Sequence, residues 1–263
     1  MAGMSLIAAD EPQPVLLLNE SGGSPFFLTC DHGGRAIPRR LGRLGLPEAE
    51  TWRHIAWDIG IAAVGRLLSR ALDAALIGQA YSRLVIDCNR DPAVASSIPE
   101  VSETTEIPGN RGLGEDERLA RRRAIFLPYH GALAAALDRR AAAGRPSVLV
   151  ALHSFTPVFK GVARPWHAGI LFNRDDRLAR PLLAALRRGA GLEIGENEPY
   201  RVTDQTDYTV PVHGERRGLV HVEIELRQDL IGEPSGQADW AQRLARALPA
   251  AYAECLAAAG GGA

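Results

Sequence analysis

The chain has 263 residues, of which 46% are hydrophobic and 23% are charged. This length fits one large domain or two small ones with a full hydrophobic core. No composition shift marks a boundary, so we expect a single domain over residues 1–263, with flexible ends at 1–14 and 259–263. The formal net charge of −1 provides no strong field for nucleic acid or for an anionic membrane surface, so neither is expected as a partner.

The cysteines and the N-terminal segment indicate the compartment. Cys30, Cys88 and Cys255 form neither a Cys-x-x-Cys pair nor an even-numbered disulfide framework, which favours a reducing environment. Residues 1–14 lack the charged start and long apolar core of a signal peptide. No run approaches the roughly 18 apolar residues that a membrane span needs, so we expect a cytoplasmic protein.

Short apolar runs alternate with amphipathic segments in the first part of the chain. Residues 14–18 (PVLLL) and 25–30 (PFFLTC) are predicted to be buried strands. A helix is predicted over 47–72, because a proline and acidic residues at its start suit a helix N-terminus. Residues 74–79 (AALIGQ) and 83–87 (RLVID) are then predicted to be paired strands.

The second part of the chain continues this alternation. Residues 94–114 form a long polar segment rich in proline and glycine, which is typical of a lid or a binding loop. The later predicted elements are a helix over 115–144 bent or restarted at Pro128, strands over 146–155 and 167–173, a helix over 175–191, a strand over 219–226 and a helix over 237–259. The pattern predicts an α/β domain in which helices cover a mixed, largely parallel sheet.

Polar side chains follow three of the predicted strands, in the segments TCDHGG, VIDCNRDP and VALHSF. Because ligands gather outside the carboxyl ends of strands in open α/β sheets, we expect these segments to share a cleft. The last predicted strand adds two carboxylates on one face. The residues expected in the cleft are His32, Asp87, Asn89, Arg90, His153, Glu223 and Glu225.

Two histidines in this set suggest a metal site. Zinc in a hydrolytic site usually takes three protein ligands from His, Asp and Glu, and His32 and His153 are the first two candidates. The third candidate is Asp58, predicted on the interior face of the first helix, although a shift in register would make it a surface charge. His54, one turn earlier, could replace Asp58 or orient it. Asp31 is expected to point away from His32.

Other cleft residues suit an acidic substrate. The planar guanidinium of Arg90 could bind a carboxylate in a bidentate manner, although it could instead pair with Asp91 at the surface. Arg83 is a second candidate, at the opposite end of the predicted strand 83–87. His213 follows a polar loop and could contact the substrate or an oxyanion.

The sequence resembles the N-formylglutamate amidohydrolase family. The resemblance spans residues 30–231 and differs from the commonest family form in having Gly33 in place of a serine. The matching segments, in the family's order, are CDHGGRAIP, WDIG, SRLVIDCNRDP, ALHSF and EIELRQDLI.

The resemblance implies a fold and an activity. Members of this family are similar in fold to zinc carboxypeptidases and zinc amidases, with a three-layer α/β/α core. The chain is therefore expected to be a metal-dependent hydrolase of a small-molecule N-acyl amino acid with an acidic side chain, using Zn²⁺ or another divalent metal. Those relatives often carry glutamate three residues after the first histidine. Arg35 stands there in this chain, so the resemblance implies His32, Asp58 and His153 as ligands.

The resemblance also implies roles for the remaining polar residues. An Asn-Arg pair binds the substrate carboxylate in those relatives, which corresponds to Asn89 and Arg90. A glutamate on a late strand is the general base, which corresponds to Glu225, with Glu223 in reserve.

Two rival functions remain open at this stage. One is a hydrolase with Cys30 as nucleophile and His32 or His153 as base, because residues two apart on a strand share a face. The other is a non-catalytic protein that binds an acidic metabolite. The sequence makes no prediction of oligomeric state.

Overall fold

The computed structural model describes residues 5–189 and 191–260. The helices in this part of the chain are α1 (Ile61–Leu72), α2 (Glu115–Arg121), α3 (Leu127–Ala142), α4 (Ala179–Arg187) and α5 (Pro234–Gly260). The strands are β1 (Val15–Leu18), β2 (Phe26–Cys30), β3 (Ala75–Gln79), β4 (Val101–Ser102), β5 (Thr105–Glu106), β6 (Val148–Phe155), β7 (Val158–Phe159), β8 (Val162–Ala163), β9 (Ala168–Leu171), β10 (Ile194–Glu196) and β11 (Val220–Arg227).

Seven of these strands form one sheet, in the order β1-β3-β2-β6-β11-β9-β10. The neighbours β3, β2, β6 and β11 pair in parallel. Strand β1 is antiparallel to β3, and β9, with β10 parallel beside it, is antiparallel to β11. The mixed, largely parallel sheet predicted from the sequence is therefore confirmed.

Helices cover both faces of this sheet. Side chains such as Leu28, Val150 and Ile224 pack against α1, α4 and α5 in one buried cluster. Phe27 and Leu149, which alternate with them, pack on the other face against α3. This arrangement is the three-layer α/β/α core that the resemblance implied.

The first long helix begins later than predicted. It starts at Ile61, and of residues 47–60 only Glu48–Trp52 forms a short 3₁₀ turn. The cause is Gly60, whose backbone is left-handed at φ +83° and passes so close to Ile231 that a Cβ would lie 2.2 Å from its carbonyl oxygen. Asp58 therefore lies in the connection before α1 and not on a helix face.

Residues 83–87 are not a strand, which corrects the second local prediction. Leu84 and Val85 are fully buried, as a strand would require, but no strand pairs with this described segment. Side chains satisfy its backbone: Asn110 Nδ2 donates to Leu84 O at 2.9 Å, and Arg121 Nη1 donates to Val85 O at 3.1 Å. The apolar run thus indicates that the segment is buried, but it does not indicate that the segment pairs with a strand.

The helical region over 115–144 is interrupted near the predicted position. A π-helical turn, Arg122–Phe126, separates α2 from α3, and Pro128 lies in the first turn of α3, where its missing N–H costs least. None of the helices within the described ranges is long and apolar enough to cross a membrane.

The predicted flexible ends fall only partly on described residues. Residues 1–4 and 261–263 lie outside them. Within the described part, Tyr81 Oη donates to Pro12 O at 2.7 Å, Ala80 N donates to Pro14 O at 3.2 Å, and α5 continues through Gly260.

Candidate metal centre and active site

Three side chains predicted as metal ligands converge at the carboxyl ends of the parallel strands. His32 follows β2, His153 lies near the end of β6, and Asp58 precedes Gly60. The Asp58 Oδ2 atom is 3.0 Å from His153 Nδ1 and 3.5 Å from His32 Nδ1. All three residues are buried, and one candidate ligand atom from each lies within 4.8 Å of the other two. The arrangement is compatible with one bound cation.

The outer ring nitrogens of both histidines face carboxylates. His32 Nε2 is 2.7 Å from Asp87 Oδ1, and His153 Nε2 is 3.5 Å from Asp31 Oδ2. Asp31 in turn accepts a hydrogen bond from Tyr129 Oη at 2.5 Å. A carboxylate behind each histidine is typical of metal-ligating imidazoles, because it fixes the ring and its tautomer.

The electrostatics of the cluster keep its carboxylates charged. Burial alone would raise the pKa of Asp58, but His32 and His153 hold that pKa below its usual value. Burial likewise opposes ionisation of Asp87, yet Arg83 and His32 keep its pKa well below the ordinary range. Both groups are therefore anionic at neutral pH, as a cation site requires.

Strand β11 presents two glutamates to the same site. Glu225 is the register partner of His153 on β6, and Glu223 is two residues earlier on the same face. Burial raises the pKa of Glu225 to about 8, whereas burial and the nearby Asp207 charge raise that of Glu223 well above its ordinary value. In each glutamate, Oε2 lacks a hydrogen-bond partner among the described residues.

These side chains line a cavity of about 540 Å³. Arg83, predicted to lie at the far end of a strand, instead donates from Nη2 to Asp87 Oδ2 at 2.8 Å and places Nη1 3.4 Å from Asp58 Oδ1. Because residues 83–87 fold as an irregular turn, Arg83 and Asp87 reach the same wall. The structure therefore brings Arg83 to the cleft.

Asn89 and Arg90 also line the cavity, but they differ in availability. The amide of Asn89 is largely used, because Oδ1 accepts from Tyr208 N and Thr209 N and Nδ2 donates one N–H to Asp207 Oδ1 at 3.1 Å. Arg90 donates from Nη1 to Thr206 O at 3.2 Å and lies 3.5 Å from Asp87, so its partner is not Asp91. Asn89 fixes the loop, and Arg90 retains N–H groups for a ligand.

Two other predicted candidates, His213 and His54, do not join the ligand cluster. His213 is outside the cavity lining: it lies in the π-helical turn Val210–Gly214 and stacks on His130, with His213 Nε2 3.0 Å from His130 Nδ1. Its prediction as a contact to substrate is therefore not supported. His54 lines the cavity but faces Glu103 at 3.5 Å, and it is not part of the ligand cluster.

Two irregular segments supply lining residues that the sequence analysis did not single out. Several come from the predicted binding loop 94–114, and others come from the polar segment after β10. The one sequence feature that could have indicated the second segment is its lack of helical or strand periodicity. These lining residues are Ser96, Pro99, Val101, Ser102, Glu103, Tyr200, Arg201, Thr203, Thr206 and Asp207.

Cys30 lies in a different environment from the histidines. Its side chain packs in the cluster against α1, where a Cβ on Gly65 would be 3.0 Å from its sulfur. Burial raises the pKa of Cys30 to about 12, so the thiol stays protonated at neutral pH. This environment does not support a nucleophilic thiolate.

Comparisons with known proteins place the chain in a family. The family model described as N-formylglutamate amidohydrolase matches residues 24–232. The crystal structure of gene product Atu2144 from Agrobacterium tumefaciens is 40% identical, with a TM-score of 0.91 over 94% of this chain and 98% of that one. The N-formylglutamate amidohydrolase from Ralstonia eutropha JMP134 is 20% identical, with a TM-score of 0.66 over 92% and 98% of the two chains. No curated protein sequence matches. The chain belongs to the N-formylglutamate amidohydrolase family and is a hydrolase that acts on amide bonds.

Proposed function

We propose that this protein removes the N-formyl group, or a similar N-acyl group, from an acidic amino acid such as N-formylglutamate. The proposal includes a divalent metal, Zn²⁺ in the first place, held by His32, Asp58 and His153. The observation that carries it is the convergence of these three buried ligands beside Glu225 in one cavity. A small N-acyl amino acid is the expected substrate.

The residues present fit a zinc ion. Two imidazole nitrogens and one carboxylate oxygen are a common hydrolytic donor set, and the cavity beside them leaves room for water. His32 Nδ1 is buried without a hydrogen-bond partner among the described residues, which suits an atom reserved for a cation. When bound, zinc would supply Lewis acidity that polarises the scissile carbonyl and makes a water molecule more acidic.

Glu225 is the proposed general base. Its register position beside His153 places it next to the ligand cluster, and its carboxyl group lines the cavity. Glu225 would take the proton of the attacking water and pass it to the leaving amine. Glu223 is the register partner of Ala151 and not of His153, so it is the less suitable of the two glutamates.

Arg90 is the proposed contact for a substrate carboxylate, and its neighbours hold it in place. Asn89 fixes residues 207–209, the segment beside the carbonyl of Thr206 to which Arg90 donates. Arg83 supports the site from behind by neutralising Asp87 and Asp58. Arg83 and Asn89 are thus proposed as positioning residues.

A substrate panel tests this function. Release of formate, acetate or succinate from the corresponding N-acyl amino acids would be measured before and after chelation, and again after addition of zinc. We expect the N-formyl derivative of an acidic amino acid to be hydrolysed fastest, with activity lost on chelation and restored by zinc. Activity that resists chelation but is lost on thiol alkylation would instead support Cys30, and ligand binding without turnover would support a non-catalytic binder.

A further inference from the structure

The cavity is lined by three arginines that differ in what they already bind. Arg83 pairs with Asp87 at 2.8 Å and lies 3.4 Å from Asp58, and Arg90 lies 3.5 Å from Asp87 while donating to Thr206 O. Arg201 is exposed and has no hydrogen bond or ion pair with any described residue. It is therefore a cation of the cavity wall that no protein carboxylate neutralises.

Charge is distributed unevenly along the cavity. The carboxyl groups beside the ligand cluster are deeply buried, with Asp58, Glu223 and Glu225 exposed by only 2, 3 and 6%. Among the arginines, Arg83 and Arg90 have similar exposures of 27 and 28% and both lie near Asp87, whereas Arg201 is exposed. Arg201 is thus the lining arginine whose guanidinium is wholly available to a ligand carboxylate, and Arg90 is available in part.

This distribution orients an N-acyl amino acid. Its amide carbonyl can approach the cluster of His32, Asp58 and His153, where the proposed cation would bind, while its anionic groups pair with the available arginines. An acidic amino acid carries two carboxylates, and Arg90 has N–H groups left for one of them after its bond to Thr206. Within the described lining, the arginine without a partner is Arg201.

We infer that Arg201 binds the side-chain carboxylate of the substrate while Arg90 binds the α-carboxylate, so that the cavity selects dicarboxylic over monocarboxylic N-acyl amino acids. The inference rests on the proposed function and adds the residue that sets the substrate class. Charge-assisted hydrogen bonds of a guanidinium to a carboxylate supply the discrimination.

The test compares two substrates of equal length, N-formylglutamate and N-formylglutamine, whose side chains end in a carboxylate and in a neutral amide. Steady-state kinetics would be measured for the wild type, Arg201→Gln, Arg90→Gln and Arg246→Gln. Arg246 is an exposed arginine of α5 outside the cavity and serves as the matched control. We expect Arg201→Gln to lower kcat/KM for N-formylglutamate by about 10- to 100-fold, with less than about threefold change for N-formylglutamine.

The other variants define the remaining outcomes. Arg90→Gln should lower kcat/KM for both substrates, and Arg246→Gln should lower it for neither. Equal losses on both substrates in Arg201→Gln, or no loss on either, would overturn the assignment of Arg201. The assignment would also be overturned if Arg90→Gln lowered kcat/KM for N-formylglutamate alone while Arg201→Gln lowered it for both substrates.

A binding measurement separates this inference from the proposed function. Both ligands would be titrated by calorimetry into zinc-loaded Glu225→Gln protein, with and without Arg201→Gln, so that no turnover is needed. A loss of affinity confined to N-formylglutamate supports Arg201 even if the wild type hydrolyses neither compound. Failure of wild-type turnover contradicts the proposed function, whereas unchanged affinity in the Arg201 variant contradicts the inference.

Discussion

The chemistry of single residues in this site depends on groups behind them. His32 and His153 offer Nδ1 to the ligand cluster because Asp87 and Asp31 face their Nε2 atoms. A carboxylate in this position holds the imidazole in one tautomer and raises its basicity as a ligand. The affinity of the site for a cation is therefore expected to depend on residues that do not touch the cation.

Asp87 allows a test of this dependence. Asp87→Asn keeps the shape of the side chain but removes the charge that faces His32 and Arg83. We expect zinc affinity to fall by about 10- to 100-fold, measured by competition with a chromogenic chelator. Asp91→Asn, four residues away at an exposed position, is the control and should retain wild-type affinity. Unchanged affinity in Asp87→Asn would refute the supporting role.

Substitution of each glutamate of β11 tests which of the two is the general base. Glu225→Gln should retain zinc but lower kcat by about 10²- to 10⁴-fold, because the proton acceptor is lost. Glu223→Gln should keep most of the activity, since Glu223 is the register partner of Ala151 and not of the ligand His153, and the amide has a similar shape. Near-normal kcat in Glu225→Gln would exclude it as the base, and a larger loss in Glu223→Gln would transfer the role to Glu223.

The sequence identified part of this site. Polar residues at strand ends indicated His32 and His153, because strand direction places those ends together. Two carboxylates on one face of the last predicted strand indicated Glu223 and Glu225. Asp58 was chosen for a helix face that does not exist, although it does join the cluster. Arg201 was not found, because no periodicity shows which residues of an irregular segment turn toward a cavity.

At the level of elements, local patterns predicted burial better than they predicted hydrogen bonding. The run at 83–87 is as apolar and buried as a strand, yet the side chains of Asn110 and Arg121 hold its carbonyls. The predicted start of the helix over 47–72 is too early in the chain. The contact that sets the observed start joins Gly60 to Ile231, and because these residues are 171 positions apart in sequence, no local pattern indicates it.

The π-helical turn Val210–Gly214 predicts a pH dependence of stability. Burial and the neighbouring His130 lower the pKa of His213 from its ordinary value of 6.5 to about 3. Between these values the unfolded chain binds a proton that the folded chain excludes. The free energy of unfolding should therefore fall as the pH drops below about 6.5, by up to about 1.4 kcal/mol per pH unit.

A substitution isolates this contribution. His213→Phe fills the site with an aromatic ring that binds no proton, so the slope of unfolding free energy against pH should become shallower between pH 6.5 and 4. Urea denaturation at several pH values measures the slope, which is independent of any constant loss of stability. A variant that keeps the wild-type slope would show that His213 is protonated in the folded protein.

The whole molecule was the most predictable level. Alternation of apolar strands with amphipathic helices specifies a covered, largely parallel sheet, because each element has to bury its apolar face against another. The seven-stranded sheet with helices on both faces agrees with that expectation. The sequence did not predict that β9 is antiparallel to β11, since the direction of pairing depends on contacts between distant segments.

The metal content of the purified protein tests the central claim most directly. Elemental analysis would compare the wild type with the His32→Ala/His153→Ala double variant after dialysis against a weak chelator and reloading with zinc. We predict about one zinc ion per wild-type chain, as a three-ligand hydrolytic site requires, and almost none in the double variant. A wild type that retains no metal, or a double variant that retains as much as the wild type, would contradict the assignment of this cluster as the catalytic centre.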